Sequence, residues 1–344
     1  MKSLGIPFSA LVSVIFGLMI LSFPLGAYVV FNSNIEDGVR FDFPINGFDF
    51  FPAGIGFEIP IQFELGDVFI GLWCVFVILF SIAMFGPKTN FLKALSPIMS
   101  EGKYESKSNY LVSVIKWFSI LIVVSGIIDF IQESVGITTQ PPQQADNLIQ
   151  FFEITAAPIS EEIGFRVMLI GIPLFAIYSH RASMILFFRS LWHPTQTLHI
   201  YETKKALILI VVVGVFFGAA HIISGEPWSL GKFAQATASG IIIGWVYFKH
   251  GLVSAILVHW STNYFIFSYV NFLAEINEIT VKNAFSHSLT NSLEILFIMT
   301  GVLSIALIIV NYVNLKKIKE MRIQTSVALF RARQSSTVNS SVIS

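Results

Sequence analysis

The stretch IQFFEITAAPISEEIGFRVMLIGIPLFAIY, residues 149–178, is apolar over most of its length, yet Glu161, Glu162 and Arg166 sit in its middle. A spanning helix needs about 20 mostly apolar residues, and this segment supplies them. Placing an ionisable side chain at that depth costs roughly 2.5–3.5 kcal/mol on insertion scales, so such residues belong where the protein encloses and uses them. The stretch therefore predicts two things together: a membrane-spanning helix, and a polar site inside a bundle that shields it.

The composition of the whole chain agrees. Of 344 residues, 54% are hydrophobic and 12% charged, with 34 Phe, and the mean hydropathy is +0.74. The charged share is about half that of an ordinary globular protein. A soluble core could not hide so much apolar side chain, so the expected fold class is all-α, a polytopic membrane helix bundle. Twenty-one basic residues balance 21 acidic ones, so no net field favours nucleic acid. One cysteine, Cys74, excludes an internal disulfide and a cysteine-based metal site. Lying in an apolar run, it reads as a small packed hydrophobe.

About eight spans follow from the apolar runs: 5–31, 68–85, 110–131, 149–178, 206–223, 233–248, 252–273 and 295–313. The first is too long for the h-region of a signal peptide and reads as a retained anchor. A further run, 184–192, is too short to cross and carries Arg189, so it reads as an interfacial or re-entrant helix. Basic residues cluster in alternate loops. Lys88, Lys93, Lys103 and Lys107 follow span two; Arg181, Arg189, Lys204 and Lys205 follow span four; Lys249 follows span six; Lys316, Lys317, Lys319 and Arg322 follow span eight. The loop 32–66 has Arg40 alone against six acidic residues. This alternation predicts both termini in the cytoplasm. The domain reading is a membrane-embedded helical unit over 1–322 with its motif-bearing core at 150–270. An outer loop at 32–66 is able to form a short hairpin or to rest its aromatics at the headgroups. A basic, then polar, tail at 323–344 is expected to be disordered.

Three polar clusters stand out in the apolar background. In Ser160-Glu161-Glu162-Ile163-Gly164-Phe165-Arg166, Glu162 and Arg166 lie at i and i+4 on one helix face, suited to an ion pair. Glu161 is rotated about 100° from Glu162 and has no local partner, which leaves it free for acid–base work. In Phe217-Gly218-Ala219-Ala220-His221, the small residues with Gly214 allow close helix approach, and Phe217 shares the face of His221. In His259-Trp260-Ser261-Thr262-Asn263, His259 and Asn263 again share a face, two polar groups able to stabilise negative charge. Gly240 and Gly244 give span six a small-residue face. Each cluster also has a purely structural reading as helix–helix hydrogen bonding. Together they supply a carboxylate, two imidazoles and an amide on neighbouring spans, as water-activated hydrolysis in a membrane requires. Neither an H-E-x-x-H zinc helix nor a G-x-S-x-G elbow is present.

In that order and on separate spans, E-E-x-x-x-R (Glu161, Glu162, Arg166), F-x-x-x-H (Phe217, His221) and H-x-x-x-N (His259, Asn263) resemble the CPBP family. This family comprises the type II CAAX prenyl endopeptidases and the bacteriocin-processing or immunity proteins, also called Abi. The resemblance implies an eight-helix intramembrane peptidase, in which Glu161 and His221 activate water and His259 and Asn263 form the oxyanion hole. Glu162, Arg166 and Phe217 support them. It implies a membrane-associated or prenylated peptide as substrate and the lipid bilayer as surroundings. It leaves the metal open: Glu161, His221 and His259 can supply zinc ligands with water in a fourth position, but none lies in a local zinc spacing. A metal-free glutamate mechanism is favoured. Two other functions remain open. One is a non-catalytic, immunity-type or scaffold member. The other is a proton- or ion-coupled transporter, for which matching broken helices in two halves are expected, whereas Pro158 breaks span four alone. One tension accompanies the span boundaries. With cytoplasmic termini, Glu161 and His259 differ in height by roughly 15 Å at 1.5 Å per residue.

Overall fold

The computed structural model describes residues 2–32, 39–50, 57–101, 109–139, 146–180, 183–223 and 229–341. Lys103, Lys107 and Arg181, and the side chains of Lys317, Lys319 and Arg322, lie outside them, as do the loop stretches 33–38 and 51–56 and the tail end 342–344. The chain is a helix bundle with one small hairpin. Helix α1 (Lys2–Asn32) leads to β1 (Pro44–Phe50) and β2 (Phe57–Glu64), which pair antiparallel with an irregularity between Ile45 and Gly47. The outer loop thus takes the hairpin option that its alternating sequence offered. Then come α2 (Leu65–Phe85), α3 (Phe91–Glu101) and α4 (Tyr110–Ser134). Helix α4 is capped by Asn109, whose side chain accepts from the N–H groups of Leu111 and Val112.

The motif stretch 149–178 folds as α5 (Asn147–Glu161), a π-helical segment (Glu162–Gly171) and α6 (Ile172–Tyr178). Asp146 caps α5 through Leu148 N–H and Ile149 N–H. The short run 184–192 forms its own helix, α7 (Met184–Trp192), followed by α8 (Pro194–Thr197), α9 (Lys204–Ile223) and α10 (Lys232–His250). Gly251, at φ +86°, turns the chain directly into α11 (Leu252–Trp260). Only glycine adopts that backbone region freely, and a side chain there would also meet His193 at 2.6 Å. A second π-helical segment (Ser261–Phe265) joins α11 to α12 (Ile266–Ile276), and α13 (Val281–Phe285) precedes α14 (Ser288–Ser341).

Among the described residues, five helices are long and apolar enough to cross a membrane: Leu4–Asn32, Leu65–Phe85, Tyr110–Ser134, Lys204–Ile223 and Ser288–Asn314. The chain is an integral membrane protein of the all-α class. The remaining expected spans, 149–178, 233–248 and 252–273, are helical but fall short of that measure. The first and third are interrupted by π turns, and all three carry polar groups that face protein.

Three other expectations change. Cys74 is exposed on α2 instead of packed within the protein; an apolar run does not distinguish a protein neighbour from a lipid one. Lys116, which reads as a side chain able to snorkel to the interface, is buried, with Nζ 5.0 Å from the centre of the Trp117 ring. The expected disordered tail is helical to Ser341. No Gly or Pro follows Gly301, so once nucleated in the span the helix meets no breaker.

Helices α9 and α10 pack closely through small residues. A Cβ on Gly240 would lie 3.0 Å from Gly214 Cα, and one on Gly218 would lie 2.8 Å from Phe233 O. Behind α11, fully buried Trp260 stacks on Phe23 and Tyr264 at 5.5 Å. The hydroxyls of Tyr264 and Tyr269 donate to the α1 carbonyls of Ser22 and Leu18 at 3.1 and 2.9 Å. This aromatic wall fixes the back of α11, so that His259 is presented from a rigid support.

Candidate active site

The three polar clusters meet where the first π-helical segment begins. π-Helical turns widen a helix locally and are frequent at functional sites; here one starts at Glu162 and the other directly after His259 and Trp260. His259 stands between the two glutamates. Its Nδ1 is 2.8 Å from Glu162 Oε1, and its Nε2 is 3.8 Å from Glu161 Oε2. The expected 15 Å difference in height is absent, since His259 on α11 reaches Glu161 at the end of α5.

Glu162 and Arg166 are wholly buried, and Arg166 Nε lies 3.0 Å from Glu162 Oε2. The N–H is not aimed at that oxygen, and among the described residues neither Nη of Arg166 has a hydrogen-bond partner. The contact is Coulombic. The guanidinium sits over Phe217, with Cζ 4.6 Å from the ring centre, a position in which the ring quadrupole attracts the cation. Phe217 also touches both imidazoles edge-on, 4.6 Å from His221 and 6.2 Å from His259 between centroids.

The hydrogen bonds assign the ring nitrogens. His221 Nδ1 is 2.9 Å from Phe217 O; a carbonyl only accepts, so Nδ1 carries the hydrogen and Nε2 of the neutral ring is left with a lone pair. His259 Nδ1 donates to the Glu162 carboxylate by the same logic, turning Nε2 toward Glu161. The Glu161 side chain is 23% exposed against 0% for Glu162, and among the described residues its Oε2 has no hydrogen-bond partner. Glu161 lies within Coulombic range of His221. Asn263 is half-buried; its Nδ2 donates to Ile154 O at 3.3 Å, and its Oδ1 accepts from Thr262 Oγ1 at 3.3 Å. It therefore faces α5 about two turns before Glu161, and among the described residues it has no direct bond to His259.

Among the described residues no group of three His, Cys, Asp or Glu side chains is placed to hold a metal ion.

A further network borders the cluster. Lys232 Nζ donates to Gln235 Oε1 at 2.9 Å, and Gln235 Nε2 donates to Asp129 Oδ2 at 3.0 Å. Lys232 is within Coulombic range of both Asp129 and Glu161. Lys232 and Gln235 sit at the mouth of a span beside a loop, and nothing near them in the sequence marks the pairing with Asp129, 106 residues away.

These features define a polytopic helical membrane protein with a Glu–His–Arg cluster enclosed by its inner helices. Residues 144–265, which contain every residue of the three clusters, match the family model described as Type II CAAX prenyl endopeptidase Rce1-like, a likeness that supports the resemblance to the CPBP (Abi) family over that part of the chain. The matching model describes CAAX-type prenyl endopeptidases. No curated protein and no solved structure matches the chain.

Proposed function

We propose that this protein is a glutamate-dependent endopeptidase that cleaves a peptide bond near the C-terminus of a prenylated, CAAX-type or other membrane-associated peptide. The observation that carries the reading is the contrast between adjacent carboxylates. Glu162 is wholly buried with Arg166 and His259 against its two oxygens, whereas the Glu161 side chain is 23% exposed and its Oε2, itself buried, faces His259 Nε2 at 3.8 Å without a hydrogen bond among the described residues. A base must hold an unengaged lone pair close to where water can enter.

In the proposed reaction Glu161 takes a proton from water, with His221 Nε2 as a second acceptor beside it. The resulting hydroxide attacks the scissile carbonyl carbon, and the C=O π pair moves onto oxygen. His259 and Asn263 hold that oxyanion. With Nδ1–H committed to Glu162, His259 donates from Nε2 only when both ring nitrogens carry hydrogen. Collapse of the intermediate breaks the C–N bond, and the proton held by Glu161 passes to the leaving amine. Glu162, Arg166 and Phe217 position His259 and His221. No metal enters the scheme. The basic loops suit both termini lying in the cytoplasm.

The test is cleavage of a prenylated C-terminal reporter peptide by detergent-purified protein, beside Glu161→Ala. Loss of a base lowers the rate by about 10²–10⁴-fold, so the variant is expected to be nearly silent. Equal cleavage by both proteins would remove Glu161 from the chemistry. Silence from wild type and variant alike would remove CAAX-type specificity.

A further inference from the structure

Helix α7 has two unlike faces. Its inner face packs against the site's supports: Ser190 is buried, Tyr247 Oη donates to Leu191 O at 2.8 Å, and a Cβ on Gly171 would lie 3.0 Å from Leu191 Cδ2. Its outer face is apolar and open. Met184, Ile185 and Phe188 are 69, 68 and 61% exposed, and Trp192 is 41% exposed. At spacings of one, four and eight residues they form one stripe, and Arg189 flanks it, about 40° beyond Ile185. A nine-residue helix is far too short to cross a bilayer. An apolar stripe carrying Trp and flanked by Arg suits a helix lying in the headgroup plane.

Between this stripe and α8 is a shallow, open depression of about 420 Å³, lined by Phe188, Arg189, Trp192, His193, Gln196 and Thr197. The lining contains a guanidinium and an amide but no carboxylate. Among the described residues, no acidic group pairs with Arg189. Its backbone is nevertheless fixed, because Arg189 O accepts from His193 N at 2.9 Å and from Thr197 Oγ1 at 3.0 Å. His193 is tied to Tyr110 Oη at 2.6 Å, and burial pushes its pKa below the ordinary histidine value, so Arg189 is the depression's cation. From 183 to 205 the chain has one acidic residue, Glu202, against Arg189, Lys204 and Lys205, and both lysines are exposed.

We infer that this depression binds the headgroup phosphate of an anionic glycerophospholipid, with Arg189 as the phosphate ligand, Gln196 as a second donor, and Met184, Ile185 and Phe188 beside the acyl chains. A guanidinium suits a phosphate because it presents parallel N–H groups. The unneutralised positive charge selects an anionic lipid over a zwitterionic one. The site stands apart from the hydrolytic chemistry and does not rest on the protease reading.

The experiment is native mass spectrometry of the full chain in a neutral maltoside detergent, titrated with phosphatidylglycerol or with phosphatidylcholine. Wild type is expected to retain phosphatidylglycerol in preference, and Arg189→Gln to bind it about fivefold more weakly, the effect of one basic residue near an anionic surface. Lys204→Gln is expected to stay within about twofold of wild type on the same scale. Arg189 is exposed, so its variant should fold, and an unchanged melting temperature in detergent alone checks this. Equal retention of the two lipids, equal losses from Arg189→Gln and Lys204→Gln, or displacement of the lipid by millimolar inorganic phosphate would each overturn the inference.

Discussion

Helices α2 and α11 are both strongly apolar, yet they use that character in opposite ways. On α2, Ile78 is 59% exposed and Phe85 67%, so its outer side chains are matched to lipid, while Phe69 and Phe76 on its other side are buried. On α11, every residue from Val253 to Trp260 is buried, and its apolar groups are matched to protein. The lipid-facing helix has no need of polar atoms and reads at once as a span. The enclosed helix carries His259 and continues into a π turn with Thr262 and Asn263, because neighbouring helices supply partners that lipid cannot. In this bundle, polarity within an apolar helix marks enclosure, and enclosure is where chemistry can be held. Substitutions on the two kinds of surface should therefore differ in size and even in sign.

The largest effect on stability is expected at Glu162. Glu162→Ala removes the counter-charge of a wholly buried guanidinium and the acceptor of His259 Nδ1. Breaking a buried pair from one side costs about 3–5 kcal/mol, to be read as a lowered midpoint in thermal or denaturant unfolding in detergent. Replacing both partners, Glu162→Met with Arg166→Met, should recover much of that loss, since two apolar groups of similar volume leave no orphaned charge. Peptide cleavage should not recover with it, because His259 would still lack its anchor. Recovery of activity in the double variant would reduce the pair to packing and blur the contrast between the enclosed helices and the outer ones.

That contrast also explains what the sequence disclosed. Ionisable residues in apolar runs are costly, so Glu161, Glu162, Arg166, His221 and His259 could be singled out one by one, and helical spacing paired Glu162 with Arg166. The hairpin showed in the alternation after Pro44. Features that depend on a neighbour from a distant part of the chain did not show. The apolar run around Cys74 reads alike whether protein or lipid faces it. Lys116 has the length to snorkel, and only the position of Trp117 and its surroundings shows that it does not. The widening of the helix at Glu162 and at Ser261 has no compositional mark, because the geometry comes from packing. The bond from Gln235 to Asp129 joins α10 to α4, and nothing local to either residue announces it. Polar composition selected the candidate residues; their mutual placement, with His259 between two glutamates, is a tertiary property.

A smaller effect, and a change of sign, should separate the glycines of the two environments. At Gly218, between α9 and α10, an added methyl would come within 2.8 Å of Phe233 O and closer still to Thr237 Oγ1. Overpacking of this kind costs about 1–3 kcal/mol, more than the roughly 1 kcal/mol that alanine gains over glycine in a helix, so Gly218→Ala should lower the unfolding midpoint. Gly71 on α2 has nothing within 4 Å of the same added atom and is exposed. There the propensity gain is unopposed, and Gly71→Ala should be neutral or stabilising by up to about 1 kcal/mol. The two variants differ from wild type by the same methyl group and are measured in the same detergent, so only the surroundings separate them. If Gly71→Ala destabilised the protein as much as Gly218→Ala does, the outer face of α2 would have to be covered by something other than lipid, and the division between enclosed and lipid-facing helices would be drawn in the wrong place.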